Sequence, residues 1–223
     1  MVEDGLIVLN KPKGMSSFFA VKIVKRALNA GKAGHMGTLD PLATGVLVIG
    51  INKATKLFDK FLKGNKEYIA EYEFGYETDT LDCEGNITNK KEKLVTKEML
   101  ENILPKFLGK QMQVPPNYSA KKINGKKAYE LARGGVDFSI PPKDVEVFGL
   151  ELLEQIKENT FSVKIKCSSG FYVRSLGRDL AKELSTYATT INIIRTICCG
   201  FNLNEAQTLE EIKNGNYDLK LIN

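Results

Sequence analysis

Gly34-His35-Met36-Gly37-Thr38-Leu39-Asp40-Pro41-Leu42-Ala43-Thr44-Gly45-Val46-Leu47-Val48-Ile49-Gly50 is the stretch from which the rest of this 223-residue chain can be read. It sets the single histidine and one acidic residue in a loop crowded with glycine, directly before an apolar run, Val46 to Ile49, that reads as a buried strand. Glycine lets backbone approach a bulky ligand, Pro41 stiffens the chain after Asp40, and the strand would anchor the loop to a sheet. A lone carboxylate in such a place is a candidate reactive group. On spacing alone, a turn opened by Asp40-Pro41 is the simpler reading.

A hydrophobic share of 43% and a charged share of 26% are those of an ordinary soluble globular chain, long enough for one large domain or two small ones. The opening Met1-Val2-Glu3-Asp4 has no basic n-region, and no apolar run reaches bilayer length, so a cytoplasmic protein away from membranes is expected. Cys83, Cys167, Cys198 and Cys199 form no Cys-x-x-Cys pair, and the polar stretch Thr78 to Gly85 lacks the calcium-loop spacing. Neither a metal nor a disulfide framework is therefore expected, and the cysteines read as reduced core or near-core residues. A net charge of +5 suits a polyanionic partner without requiring one.

Outward from the central loop, Leu6 to Leu9 reads as a strand. Ser16 or Ser17 would cap a helix with Phe18, Val21, Val24 and Leu28 at helical spacing, ended by Gly31. Asn52 could cap a second helix burying Ala54, Leu57, Phe58 and Phe61, with Lys53, Lys56, Lys60 and Lys63 as a solvated stripe. Lys66 to Phe74 alternates, with Tyr68, Ala70, Tyr72 and Phe74 on one face. As far as pattern goes, Tyr68 is a core tyrosine whose hydroxyl finds a partner.

A helix follows Thr96. The loop from Val114 to Lys127 then interleaves Tyr118 with Lys121, Lys122, Lys126 and Lys127, which is what stacking on bases and pairing with phosphates require, and equally what an exposed loop permits. Two strands, Val145 to Leu153 and Thr160 to Cys167, lead to a helix with Arg174 in its first turn. The helix dipole disfavours a cation there, so that arginine has a carboxylate or phosphate to meet. A strand over Ile191 to Phe201 and a capping box, Thr208 to Glu211, close the chain. Without regular βαβ alternation, the class is α+β around a mixed or antiparallel sheet.

Gly34 to Gly45 resembles the signature of the bacterial tRNA pseudouridine-55 synthases of the TruB type. Asn10-Lys11-Pro12-Lys13-Gly14-Met15-Ser16-Ser17, Thr78 to Asp82, Pro115 to Ala132 and Tyr172-Val173-Arg174-Ser175-Leu176 resemble its other blocks in the same order. The resemblance implies a pseudouridine synthase fold, a mixed, largely antiparallel sheet flanked by helices and RNA-binding loops. It implies an isomerase that detaches uracil at uridine 55 of the tRNA T-loop, turns the ring and rejoins it through carbon. Asp40 matches the family's nucleophile, Tyr68 the tyrosine that packs on the target base, and Arg174 the arginine that pairs with the aspartate. A carboxylate nucleophile must be ionised, and an adjacent guanidinium favours that form while orienting it. His35 matches the position associated with base flipping, and Lys11, Tyr118, Lys121, Lys122, Lys126, Ile193 and Arg195 match regions that meet RNA. The partner is the tRNA T-stem-loop, no cofactor is implied, and a monomer is expected.

Met36 departs from the family's usual threonine. Ile194 replaces the first of two adjacent arginines, leaving Arg195, while Ile193 would keep the apolar contact to the base. The C-terminal PUA domain would begin just past Glu210 to Gly215, so a single catalytic domain over 1–223 is expected. A phosphate-binding NTPase fails for want of Gly-x-x-x-x-Gly-Lys-Ser/Thr. A non-catalytic RNA-folding module on the same scaffold would signal itself by loss of Asp40, Tyr68 or Arg174, and all three are present.

Overall fold

The computed structural model describes residues 2–58, 61, 64–119, 121–123 and 125–222, and of Lys122 the backbone only. Its strands are β1 (Gly5–Lys11), β2 (Ala33–His35), β3 (Thr44–Ile51), β4 (Lys66–Phe74), β5 (Tyr76–Thr78), β6 (Ile87–Lys90) and β7 (Gly109–Gln113). They continue with β8 (Lys122–Ile123), β9 (Lys126–Lys127), β10 (Lys143–Lys157), β11 (Thr160–Cys167), β12 (Ala188–Cys198), β13 (Phe201–Asn202) and β14 (Lys220–Leu221). The chain divides into two units, Met1–Tyr68 with Ile193–Asn223, and Ile69–Asn192.

In the first unit the strands run β14-β1-β3-β12, with β2 on β3 and β13 on β12. β1 is antiparallel to β3, and β12 is parallel to it. Both β1 and β3 are buried almost throughout, as their near-continuous apolar sequences demand of strands covered on both faces. Leu6, Val8, Met36, Val46, Val48, Ala54 and Cys198 pack as one core, so Met36 fills a core position. The Ser17–Ala27 helix packs on β2 and β3 and buries Ala20, Val21 and Val24.

Register sets the key feature of this unit. Lys11 stands opposite Gly45 in β3, and Arg195 stands opposite Gly45 from the other side. Lys11, Gly45 and Arg195 therefore form one row across three strands. Gly45 has φ +98°, and a Cβ there would lie 2.3 Å from the Arg195 carbonyl oxygen, so no other residue fits without moving a strand.

The second unit orders its strands β12-β4-β11-β10-β7, with β10 antiparallel to both neighbours, and adds two short ribbons, β5-β6 and β8-β9. Burial alternates along β4, as the sequence pattern requires. The Val173–Glu183 helix comes so close to that strand that a Cβ on Gly177 would lie 2.5 Å from the Tyr72 ring, whose hydroxyl donates to the Val173 carbonyl at 2.8 Å. That contact fixes where Arg174 begins. The whole is the mixed, largely antiparallel α+β class expected from the sequence.

Several local expectations change. Ser16 is the cap, accepting from the Phe19 amide, while Ser17 is buried. Phe18 shares helical spacing with Val21 and Val24 yet is exposed, because the buried face runs through Ser17, Ala20, Val21 and Val24 and leaves Phe18 beside it. That helix ends at Ala27, and Asn29, at φ +48°, turns the chain before Gly31. Asn52 cannot cap a helix, because its carboxamide already accepts from the Gly31 and Lys32 amides and donates to the Val2 carbonyl; a 3-10 helix, Asn52–Leu57, follows. Lys60 and Lys63 lie outside the described residues. Cys83 is exposed, unlike the other three cysteines, and none of the four is in a disulfide.

Gly45→Ala should cost at least about 2 kcal/mol, since it adds an unfavourable φ to a clash with backbone. The thermal midpoint then falls by roughly 4–8 °C. A midpoint within about 1 °C of the parent would mean the row is not packed as described.

Candidate active site

Around Asp40 every backbone carbonyl from Gly37 to Pro41 is answered. Arg195 donates from Nη2 to Gly37 at 3.1 Å, from Nη1 to Thr38 at 3.3 Å and from Nε to Val46 at 2.7 Å. Ser17 Oγ donates to the Leu39 carbonyl and accepts from the Leu39 amide, both at 2.8 Å. The Asp40 carbonyl accepts from the Ala43 amide at 3.1 Å. Pro41 accepts from the Gly14 amide at 2.8 Å and from Lys11 Nζ at 3.4 Å. Lys11 also donates to Pro12 and Met15, so the Lys11-to-Met15 turn and the Asp40 loop share one ammonium.

Lys11 and Arg195 are both 0% exposed. A buried cation is tolerated only when its donors are matched, and here the acceptors are carbonyls of the Asp40 loop, of Val46 and of the Lys11-to-Met15 turn. Both residues, expected at the RNA from the resemblance, are buried against the carbonyls of the Asp40 loop. Burial works against the Arg195 charge, but the Tyr68 hydroxyl and the Cys198 thiol beside it outweigh that and hold its pKa above the ordinary arginine value. Tyr68 is buried, its hydroxyl meeting that guanidinium. Cys198, hydrogen-bonded to Cys199 and close to Arg195 and Lys66, is lowered to about 6. Ile193 is also buried, and Asp40 is half-buried.

His35 ends β2 on the approach to this loop. Burial and then the Arg195 charge lower its pKa, so it is neutral at neutral pH. Its Nδ1 is buried and has no hydrogen-bond partner among the described residues. The fold thus leaves a neutral ring with one unused polar atom.

In the second unit Arg174 is buried and donates from Nη1 to Thr80 at 2.6 Å and from Nη2 to the Tyr118 carbonyl at 2.9 Å. Its Nη1 lies 3.4 Å from Asp82 Oδ2, and Asp82 is itself held by the Thr80 hydroxyl and the Glu84 amide. A carboxylate for an arginine at a helix N-terminus is present here in Asp82. The Tyr118 hydroxyl reaches Asp79 at 3.4 Å and Lys121 reaches the Pro141 carbonyl, whereas Lys126 and Lys127 are exposed.

Two residues were not assigned these roles from sequence. Ser17 read as an alternative cap, and nothing in a helical pattern reveals a hydroxyl bonded to a loop 22 residues away. Asp82 read as a turn residue, although the position of Arg174 called for an acid and Thr78 to Glu84 supplies several.

A family model described as TruB family pseudouridylate synthase (N terminal domain) matches residues 25–173. The tRNA pseudouridine synthase B of Caulobacter vibrioides is 41% identical over 98% of this chain and 70% of its own length. That of Ureaplasma urealyticum is 41% identical over 95% of this chain and 93% of its own length. Among solved structures, a Cbf5-Nop10-Gar1 complex matches 94% of this chain with TM-score 0.73 and 27% identity. An H/ACA RNP bound to a substrate RNA containing 2'-deoxyuridine matches 94% with TM-score 0.70 and 25% identity. This chain spans 54% and 52% of those two matched chains.

Because His35 is harder to protonate folded than unfolded, acid favours the unfolded chain. Its contribution to stability is complete above the unfolded value of about 6.5 and is lost as pH falls through the lower folded value. Between pH 7.5 and 5.5 the thermal midpoint should fall further for the parent than for His35→Asn. Equal falls would remove His35 as the titrating group.

Proposed function

The chain belongs to the TruB family of pseudouridylate synthases, and on that premise we propose that it converts uridine 55 in the T-loop of tRNA to pseudouridine with Asp40 as nucleophile. The observation that carries this reading is the complete set of partners for the carbonyls from Gly37 to Pro41, which presents the Asp40 carboxylate from a rigid loop. Holding a nucleophile in place before substrate arrives removes an entropic part of the barrier.

The reaction breaks the bond between ribose C1' and uracil N1, turns the ring and forms a bond from C1' to C5. The C5 proton is then lost. The target base is drawn out of the folded loop before Asp40 reaches it. His35, neutral and with Nδ1 unused, is suited to occupy the space the base vacates. Tyr68, anchored on Arg195, supplies the aromatic face against the uracil. Arg174, in the family pattern, is the arginine that answers the aspartate, and its two carbonyl acceptors fix the direction of its guanidinium. Tyr118 and Lys121, with Lys122 and Lys126, are assigned to the RNA backbone and bases around the target.

The test is release of tritium from a tRNA transcript labelled at uracil C5. The parent releases tritium from the T-loop uridine, while Asp40→Asn is slower by at least about a thousandfold. The mutant should keep RNA binding within about threefold, because it loses little contact with phosphate. Binding lost in proportion to rate would contradict the nucleophile assignment.

A further inference from the structure

Phe18 and Phe19 are adjacent, 64% and 54% exposed, and open the helix whose buried Ser17 is bonded both ways to Leu39, the residue before Asp40. Two consecutive exposed phenyl rings are thus fixed at the edge of the nucleophile's loop, on backbone that cannot move without breaking those bonds. The segment that carries them has charge of one sign, while the Leu209–Lys213 helix packed against it bears Glu210 and Glu211. Between Gly5 and Phe58 the only acidic residue is Asp40, while Lys13, Lys22, Lys25 and Arg26 are exposed on the turn and helix that carry the rings. Lys22 Nζ sits 4.7 Å from the centre of the Phe18 ring and still leaves most of that ring uncovered.

An apolar surface flanked by cations of its own turn and helix fits a partner that combines planar apolar faces with negative charge. Unpaired nucleotides have this chemistry: each base offers a face to stack and each phosphate a charge to pair. From this we infer that Phe18 and Phe19 form a stacking platform for an unpaired base of the tRNA loop flanking the target uridine, with Lys22 and its neighbours on the adjoining phosphates. The inference rests on the functional reading above and extends it. A phenyl ring has no hydrogen-bonding edge, so the platform positions the loop and does not read base identity. It also gives a use to Phe18, which stands in water beside the buried face of its helix.

The experiment uses a T-arm stem-loop carrying 2-aminopurine at each unpaired position in turn, with the full chain, Phe18→Ala/Phe19→Ala and Phe18→Leu/Phe19→Leu. With the parent, the fluorescence of at least one loop position changes on binding. Both double variants lose that change and bind about tenfold more weakly, within the roughly 5- to 150-fold span expected for one stacked base. KM rises accordingly, and kcat at saturating RNA changes far less. Parent-like binding by the alanine variant, or its full restoration by leucine, would overturn the platform; the second outcome would point to apolar docking without stacking. Because the parent's tritium release is measured alongside, an inactive parent would bring down the functional reading and this inference together. An active parent with an indifferent alanine variant would bring down the inference alone.

Discussion

Two buried cations with a glycine between them hold the centre of the first unit. Lys11 and Arg195 flank Gly45 in one row of the sheet, and neither could be there without oxygen atoms to receive its donors. Those oxygens belong to the loop before β3, to Val46 and to the Lys11-to-Met15 turn, so the cations tie the Asp40 loop to both its neighbours. Gly45 lets β3 and the backbone of Arg195 in β12 approach closely. Removing either partner would leave a buried charge or several buried carbonyls unmatched, which costs far more than an exposed ion pair of the same chemistry contributes.

Much of this was legible in the sequence. The strands β1 and β3 follow from continuous apolar runs, β4 from strict alternation, and the terminal helix from Thr208 and Glu211, whose reciprocal capping bonds are present. The glycine-rich loop around Asp40 stood out for the same reason: its composition departs from every helix and strand pattern near it. Less legible was the direction in which the cations face. Lys11 and Arg195 match RNA-meeting regions only through the family resemblance, and nothing in the pattern around them shows that both are buried on either side of Gly45. Phe18 is the converse case, an apolar residue one position off the buried face that Ser17, Ala20, Val21 and Val24 form.

The same geometry links fold to chemistry. Tyr68 and His35 both sense Arg195, the first through its hydroxyl and the second through charge, so one guanidinium supports the loop, anchors an aromatic ring and helps keep the histidine neutral. In the second unit Arg174 is tied to two carbonyls and to Asp82, a network that sets its orientation independently of substrate. In both clusters the buried cations are matched by acceptors within the protein itself, so their orientation is set by the fold.

That account is tested most directly by hydrogen exchange on the RNA-free protein, read at the amides of Met36, Leu39 and Ala43. These donate respectively to the Val48 carbonyl, Ser17 Oγ and the Asp40 carbonyl. A loop built by the sheet should have these amides protected nearly as strongly as the β1–β3 pairs beside them, with little further gain on adding tRNA. Rapid exchange that becomes slow only when tRNA is bound would mean that the RNA builds the loop, and would contradict the account.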